Sequence, residues 1–273
     1  MGNIIFSDDF ITSATITAIS TASGYDADNV LNLVNLERNW RMNSANKSDT
    51  EAVLIFDMAA AKSLTAIVLD HVNFDKVVIK GHDSDLSEES TSGQNEWGNS
   101  DFTSGEIAIS KDAKTNRYKV FIPLPGFNYR YLAILIPTTA SSVGSYTSKW
   151  QIGRVGLIDS YYTFGRNDDW GRQRGASQAF YEVRFGSGRI VRASAGIKRW
   201  EATLNFNSPR RISSEEIDLD TLNNYNMEDT ILFYENDGDT SKVYFCVRDT
   251  DYFGTYTLYD GVSGNSIKLI ELI

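Results

Sequence analysis

Apolar and polar positions alternate in short runs along most of this chain, and clusters of Gly, Asn, Asp or Ser close the runs. In the first half the runs are "ATITAI" (14–19), "AVLIF" (52–56), "LTAIVL" (64–69), "KVVIK" (76–80), "IAI" (107–109), "YKVFI" (118–122) and "YRYLAILI" (129–136). A period of two turns successive side chains to opposite faces, so each run predicts a strand. "WQIGRVGLID" (150–159) predicts the last strand of a first unit, and "SYYTFGRNDDWGRQRGASQ" (160–178) reads as a loop after it. A second unit then starts with "FYEVRF" (180–185), "RIVRA" (189–193) and "RWEATLNF" (199–206). In the last of these Trp200, Ala202, Leu204 and Phe206 share one face, and Arg199, Glu201, Thr203 and Asn205 the other. "SSEE" (213–216) is a capping box, with Ser213 as the N-cap and Glu216 reaching back, and it predicts one helix over 214–225. "TILFY" (230–234), "KVYFCVR" (242–248), "TYTLY" (255–259) and "SIKLIEL" (266–272) predict further strands. "ENDGDTS" (235–241) supplies a hairpin turn centred on Asp237-Gly238.

Many short strands with turn signals between them predict a mostly β protein of the sandwich or barrel kind. The expected division is a β-sandwich over 1–160 and a smaller β-rich unit with one helix over 161–273. The polar, acidic stretch 82–106 reads as a long surface loop.

Composition adds boundaries. The 273 residues are 41% hydrophobic and 23% charged, as in ordinary globular proteins. The single Cys246 excludes a disulfide within the chain, and two histidines leave little for a zinc site. No run approaches the ~20 apolar residues of a membrane-spanning helix. The opening "MGNIIFSDDF" has neither the basic segment nor the apolar stretch of a signal peptide, so the chain is expected to be made in a cytoplasm, with no membrane insertion. A net charge of −10 argues against general nucleic-acid binding. That charge is unevenly spread. Residues 161–211 hold ten Lys/Arg against four Asp/Glu, a net +6, whereas 212–273 hold three against thirteen, a net −10. Neighbouring faces of opposite sign suit head-to-tail packing of identical subunits, and equally suit two unrelated solvated faces.

Catalytic signals are sparse. The chain has no G-x-S-x-G elbow and no phosphate-cradling glycine loop. Cys246 sits mid-strand opposite Val243, Phe245 and Val247 and reads as a packed thiol. His71 lacks a partner motif and reads as structural. "DADN" (26–29) and "ENDGD" (235–239) lack the spacing of an EF-hand; the second reads as a turn and the first as a loop that could cap a cation. Neither an enzyme nor a cofactor or resident metal is expected. What remains is Trp97 in "QNEWGNSD" and Trp170 in "RNDDWGRQR", with Arg172 and Arg174, as candidate ligand or interface contacts. A tryptophan in a polar loop stacks on a sugar, anchors an interface, or folds back on its own domain. For Trp170 contact and folding back stand level, and for Trp97 folding back is preferred. "NLERNWRMNS" (35–44) poses the same question for Trp40, flanked by Arg38 and Arg41.

The order of several motifs resembles the discoidin-like, galactose-binding-like jelly-roll domain: Asn32-Leu33, Trp40 with Ser44, "AVLIFDM" (52–58), "LTAIVLDHVNF" (64–74), "KVVIKGHDSDLS" (76–87) and "YRYLAILI". The continuation resembles a tail protein of tailed bacteriophages, in "WQIGRVGL" (150–157), "YYTFGRNDDWGR" (161–172), "RWEATLNFNSPRRISSEEIDLDTL" (199–222), "TILFY" and "IKLIELI" (267–273). Together these cover nearly the whole chain. The resemblance implies an N-terminal jelly roll followed by a β-rich assembly domain. It implies a structural, distal-tail-like component of a phage tail tip or baseplate, made in the bacterial host cytoplasm and located in the virion. Its partners would be itself, in a hexameric or trimeric ring, and other tail proteins. It also implies that Trp40 packs in the core, with Arg41 tying down the adjoining loop. The alternative is a carbohydrate-binding module for host-surface glycan. The paired cysteines common in discoidin lectins are absent, and the acidic 82–106 stretch departs from their pattern.

Overall fold

The computed structural model describes residues 4–35, 38–43, 52–86, 97–144, 149–164, 173–177, 180–184, 190–194, 198–204, 228–249, 255–256, 262–263 and 267–273. It is mostly β, built on two large antiparallel sheets. The predicted helix over 214–225 lies outside the described residues.

The first sheet runs Arg154–Ile158, Ala52–Val72, Tyr118–Leu135, Lys76–His82, Phe102–Ala108, with Thr15–Ala18 and Ser110–Lys111 paired alongside the two longest strands. The runs 52–56 and 64–69 merge into one strand of 21 residues, and 118–122 and 129–136 into one of 18. The connector "DMAAAKS" holds neither Gly nor Pro to break the ladder, so pairing resumes after a register shift between Asp57 and Lys62. Ala59, at φ 63°, marks the kink. Arg130 clamps it by donating from Nε and Nη2 to the Asp57 carboxylate at 2.7 Å each. Leu54 and Phe56 before the kink meet Ile67, Leu69, Val120 and Ile122 in one cluster, so the sheet folds back on itself around a shared core.

Trp40 belongs to that core. It is fully buried and donates from Nε1 to Thr21 Oγ1 at 3.3 Å. Its two-residue strand pairs with Gln151–Ile152. Arg41 ties the loop in part through the Gln151 side-chain amide oxygen at 2.9 Å and the Tyr25 ring at 4.2 Å. Arg38 is exposed.

The 82–106 stretch is not one loop. Its end enters the Phe102–Ala108 strand, which pairs with Lys76–Gly81, and Trp97–Asn99 forms a turn of 3-10 helix. Its polar composition hid the strand because the burial there alternates only between half-buried and exposed.

The second sheet has seven strands, in the order Tyr162–Thr163, Ile5–Ser7, Ile231–Tyr234, Val243–Arg248, Ile267–Glu271, Arg199–Leu204, Gln173–Ser177. Ile5–Ser7 therefore crosses the division expected near residue 160. Three residues are too few to carry a readable period. On one face Trp200 and Phe233 stack with ring centroids 5.0 Å apart. Their strands are three spacings, about 14 Å, apart in a flat sheet, so the sheet curls around this face. Cys246 packs there beside Tyr244, its Sγ donating to the Ile231 carbonyl at 3.3 Å. The opposite face, through Ile5, Leu232, Tyr234, Val243 and Phe245, packs on Ala66, Val68, Phe121 and Ile158 of the first sheet. Burial on both faces accounts for the unbroken apolar run "VYFCV". The hairpin predicted at 235–241 joins Tyr234 to Val243, with Asn236 at φ 48° and Gly238 at φ 99°.

Gly156 sets the spacing between the sheets. A Cβ placed there would lie 2.7 Å from the Phe245 ring. Gly156→Ala is expected to cost about 1–3 kcal/mol by overpacking the joint. Trp40→Ala is expected to cost about 3–5 kcal/mol through the cavity it leaves. Urea unfolding of each variant measures both, and a parental midpoint for either would contradict the packing described.

Candidate functional site

Six charged side chains are buried where the two sheets meet. Asp70, Arg117, Lys119 and Arg154 come from the first sheet and its flanking turn, Asp112 from the turn before Tyr118, and Glu271 from the end of the second sheet. Arg154 donates from Nε to Asp70 Oδ2 at 2.9 Å, and from Nη1 to the Leu33 carbonyl at 2.8 Å. Arg117 donates from Nη2 to Glu271 Oε1. The other Glu271 oxygen accepts the Trp200 backbone N–H at 2.8 Å. Lys119 Nζ lies 3.4 Å from Asp112 Oδ2, 3.6 Å from Glu271 Oε1 and 3.6 Å over the Tyr244 ring. Asp112 is itself held by the Thr115 N–H and hydroxyl. Three carboxylates thus face three cations.

The surroundings shift these groups strongly. Burial pushes the Asp70 carboxyl up, but Arg117, Arg154 and Lys119 together pull it well below the usual carboxylate range. Asp112 also ends low, with burial opposed by Lys119 and by hydrogen bonds from Thr115 and Lys114. Burial lowers Lys119, and its carboxylate neighbours only partly offset that. Burial raises both the Tyr244 hydroxyl and the Cys246 thiol, so Cys246 is held as an unreactive thiol.

Arg117 also reaches a cleft of about 260 Å³, lined among others by His71, Asn73, Lys111, Asn116 and Gln151. The cleft sits where the Ala52–Val72 strand ends and the Tyr118–Leu135 strand begins. His71 and Asn116 both adopt positive φ, 59° and 64°. Asn73 is spent on the frame, donating to the Lys149 carbonyl at 2.6 Å and accepting the Gln151 N–H at 2.7 Å. Arg117 Nη1 and His71 Nδ1 are buried without a hydrogen-bond partner.

The residues singled out from sequence fall elsewhere. Trp97 is fully buried among Ala52, Ile55, Leu86, Ala133 and Leu135, so it is not an exposed contact. Its polar neighbours suggested exposure, but the indole fills the outer face of the first sheet. Trp170 and Arg172 lie outside the described residues. Arg174 is in the strand Gln173–Ser177, opposite Ala202. Asp26 and Asp28 flank and open the short 3-10 helix Ala27–Leu31. Among the described residues no three His, Cys, Asp or Glu side chains gather as a metal site, and no helix is long and apolar enough to cross a membrane. The buried cluster did leave a trace in the sequence: single charges within or bordering apolar runs, in "IVLD", "RYKVFI", "IGRVGL" and "IKLIEL".

Fold and site define a mostly β protein of two packed sheets locked by buried ion pairs. No known family profile matches the sequence, and comparison with curated proteins finds no match. Among solved structures, the family 89 glycoside hydrolase from Clostridium perfringens is similar at 14% identity and a TM-score of 0.35, both in complex with its substrate GlcNAc-alpha-1,4-galactose and with PUGNAc. The match covers 58% of this chain and 15% of that enzyme. A likeness of that size carries no conclusion for this chain.

Removing one member of the cluster strands its partners. Arg154→Met is expected to cost about 3–5 kcal/mol in chemical unfolding, because Asp70 loses its closest cation. The pH dependence follows from Asp70. Its folded pKa lies below its unfolded value, about 3.9, so its contribution is complete above roughly pH 5 and fades as acid protonates the carboxylate. Urea midpoints taken from pH 7 down to pH 3 are expected to stay level and then fall. In Asp70→Asn the acid limb is expected to flatten.

Proposed function

We propose that this chain is a structural subunit of a bacteriophage tail, at the tail tip or baseplate, acting by assembly rather than catalysis. The order of motifs from "VLNL" to "IKLIELI" is the reason for naming that class. The structural observation that supports it most is the second sheet. Its central strands are buried on both faces, and among the described residues its outermost strands are Tyr162–Thr163 and Gln173–Ser177. Edge rows of unpaired N–H and C=O groups are where another chain adds. An edge-to-edge contact that is not two-fold closes into a ring when its rotation permits. The positive 161–211 segment includes both edges, and the negative 212–273 segment supplies three of the central strands. Opposite charges at successive subunits would set the direction of packing.

The partners under this reading are further copies of the chain, three or six to a ring, and neighbouring tail proteins. The carbohydrate-binding alternative rests on the jelly-roll loops and their other aromatics, since Trp97 is buried.

Native mass spectrometry and electron microscopy of the purified protein are expected to show a closed trimer or hexamer, and antibody against it is expected to label the tail tip of virions. A strictly monomeric protein that is absent from purified particles would overturn the proposal.

A further inference from the structure

We infer that the cleft beside His71 is a binding site for a small oxyanion, a carboxylate or a phosphate. The inference is independent of any role in a tail.

The first observation is Arg117. Its side chain is 95% buried, at 5% exposure; one of its three nitrogens is hydrogen-bonded in the inner cluster and a second faces a carboxylate there. Nη2 donates to Glu271, and Nε faces Asp70 Oδ1 at 3.7 Å, beyond hydrogen-bond reach. Nη1 is buried without a partner, and Arg117 is one of the residues lining the cleft. Burying a charged donor without an acceptor is expensive, and such a group is satisfied by whatever enters the space before it.

His71 Nδ1 is the second observation. It is likewise buried without a partner, and it lines the same cleft. The two orphaned nitrogens belong to residues on adjacent, paired strands or their ends, since Val72 pairs with Tyr118.

The third is charge. Among the described residues no carboxylate lines the cleft, whereas Lys111 stands exposed on its lining, 5.9 Å over the Tyr118 ring. The inner cluster is already balanced, three acids against three bases. Lys111 therefore gives the cleft an uncompensated positive charge, and an anion is the complement.

The geometry limits the ligand. Only Nη1 of Arg117 is available, so a side-on fork with two guanidinium nitrogens is ruled out. One ligand oxygen sits on Nη1, and a second reaches His71 Nδ1 or the Lys111 ammonium. About 260 Å³ is slightly below the ~300 Å³ at which pockets for drug-sized ligands begin, so a sugar acid or a phosphate fits and a long chain does not.

The test uses the full chain and calorimetric titration, with glucuronate, inorganic phosphate and neutral glucose as probes. Arg117 is left intact, because it also holds the two sheets together. Lys111→Ala removes an exposed charge, and His71→Asn keeps a residue that accepts positive φ. Saturable binding of glucuronate, phosphate or both is expected, with none of glucose. Each variant is expected to weaken it about tenfold or more while melting like the parent, as loss of a charge-assisted hydrogen bond should. Glucuronate alone would identify a carboxylate site, and phosphate alone a phosphate site. Absence of saturable binding by both anions to about 10 mM, a dissociation constant too weak for a built site, would overturn the inference. So would glucose binding equally, or unchanged affinity in both variants.

Discussion

Six buried charges hold the two sheets in one arrangement. Taking an ion out of water costs several kcal/mol, and ion pairing inside the protein repays that only when every partner is in place. The arrangement is therefore poor at adding stability and good at excluding alternatives. If the Ile267–Glu271 strand slipped by one residue, Glu271 would turn to the other face and leave Arg117 and Lys119 without it. The apolar contacts of the joint would tolerate a small slide, as volume-conserving cores do. The Glu271 carboxylate does not, because one oxygen is committed to the first sheet and the other to the backbone of Trp200. Docking of the sheets and register of the last strand are thus a single event.

Legibility in the sequence followed the physics of each segment. Strands of four or more residues with one buried face, such as Arg199–Leu204, were readable because Trp200, Ala202 and Leu204 alternate with polar neighbours. Val243–Arg248 was readable as a strand, and its double burial was implicit in its lack of alternation. Ile5–Ser7 escaped because three residues carry no period and its partners lie more than 150 positions away. The kinked strands were broken in two because "MAAAK" shows no pattern where both faces are exposed. The buried cluster was not legible for a related reason. Aromatic residues among polar ones drew the eye to Trp97, which spatial folding buries. The cluster residues looked like ordinary punctuation of strands, since nothing along the chain says that Asp70, Arg117, Arg154 and Glu271 converge.

Rigidity and openness are divided within the molecule. The joint between the sheets is dense, with Phe121 stacked on Tyr234 at 4.3 Å and Phe245 against Gly156. Buried polar groups without a partner are found elsewhere, on Arg117 and His71 beside the cleft. That division suits a part that must keep its shape while others attach. Arg117 links the two regimes. The residue whose guanidinium neutralises Glu271 also lines the cleft, so an occupant of the cleft would touch the joint through one side chain.

The position of Ile5–Ser7 also has a temporal consequence. On the ribosome the neighbour this strand must pair with, Ile231–Tyr234, is made more than two hundred residues after it. The folded-back first sheet needs only strands up to Ile158 and can close while synthesis continues. The second sheet cannot, because one of its inner strands waits, already made, for strands that follow it by more than two hundred residues. A pairing so distant in sequence closes slowly. During that wait Ile5 and Phe6 remain without their native cover, which makes this short segment, rather than the large core, the place where a chaperone would have most to protect.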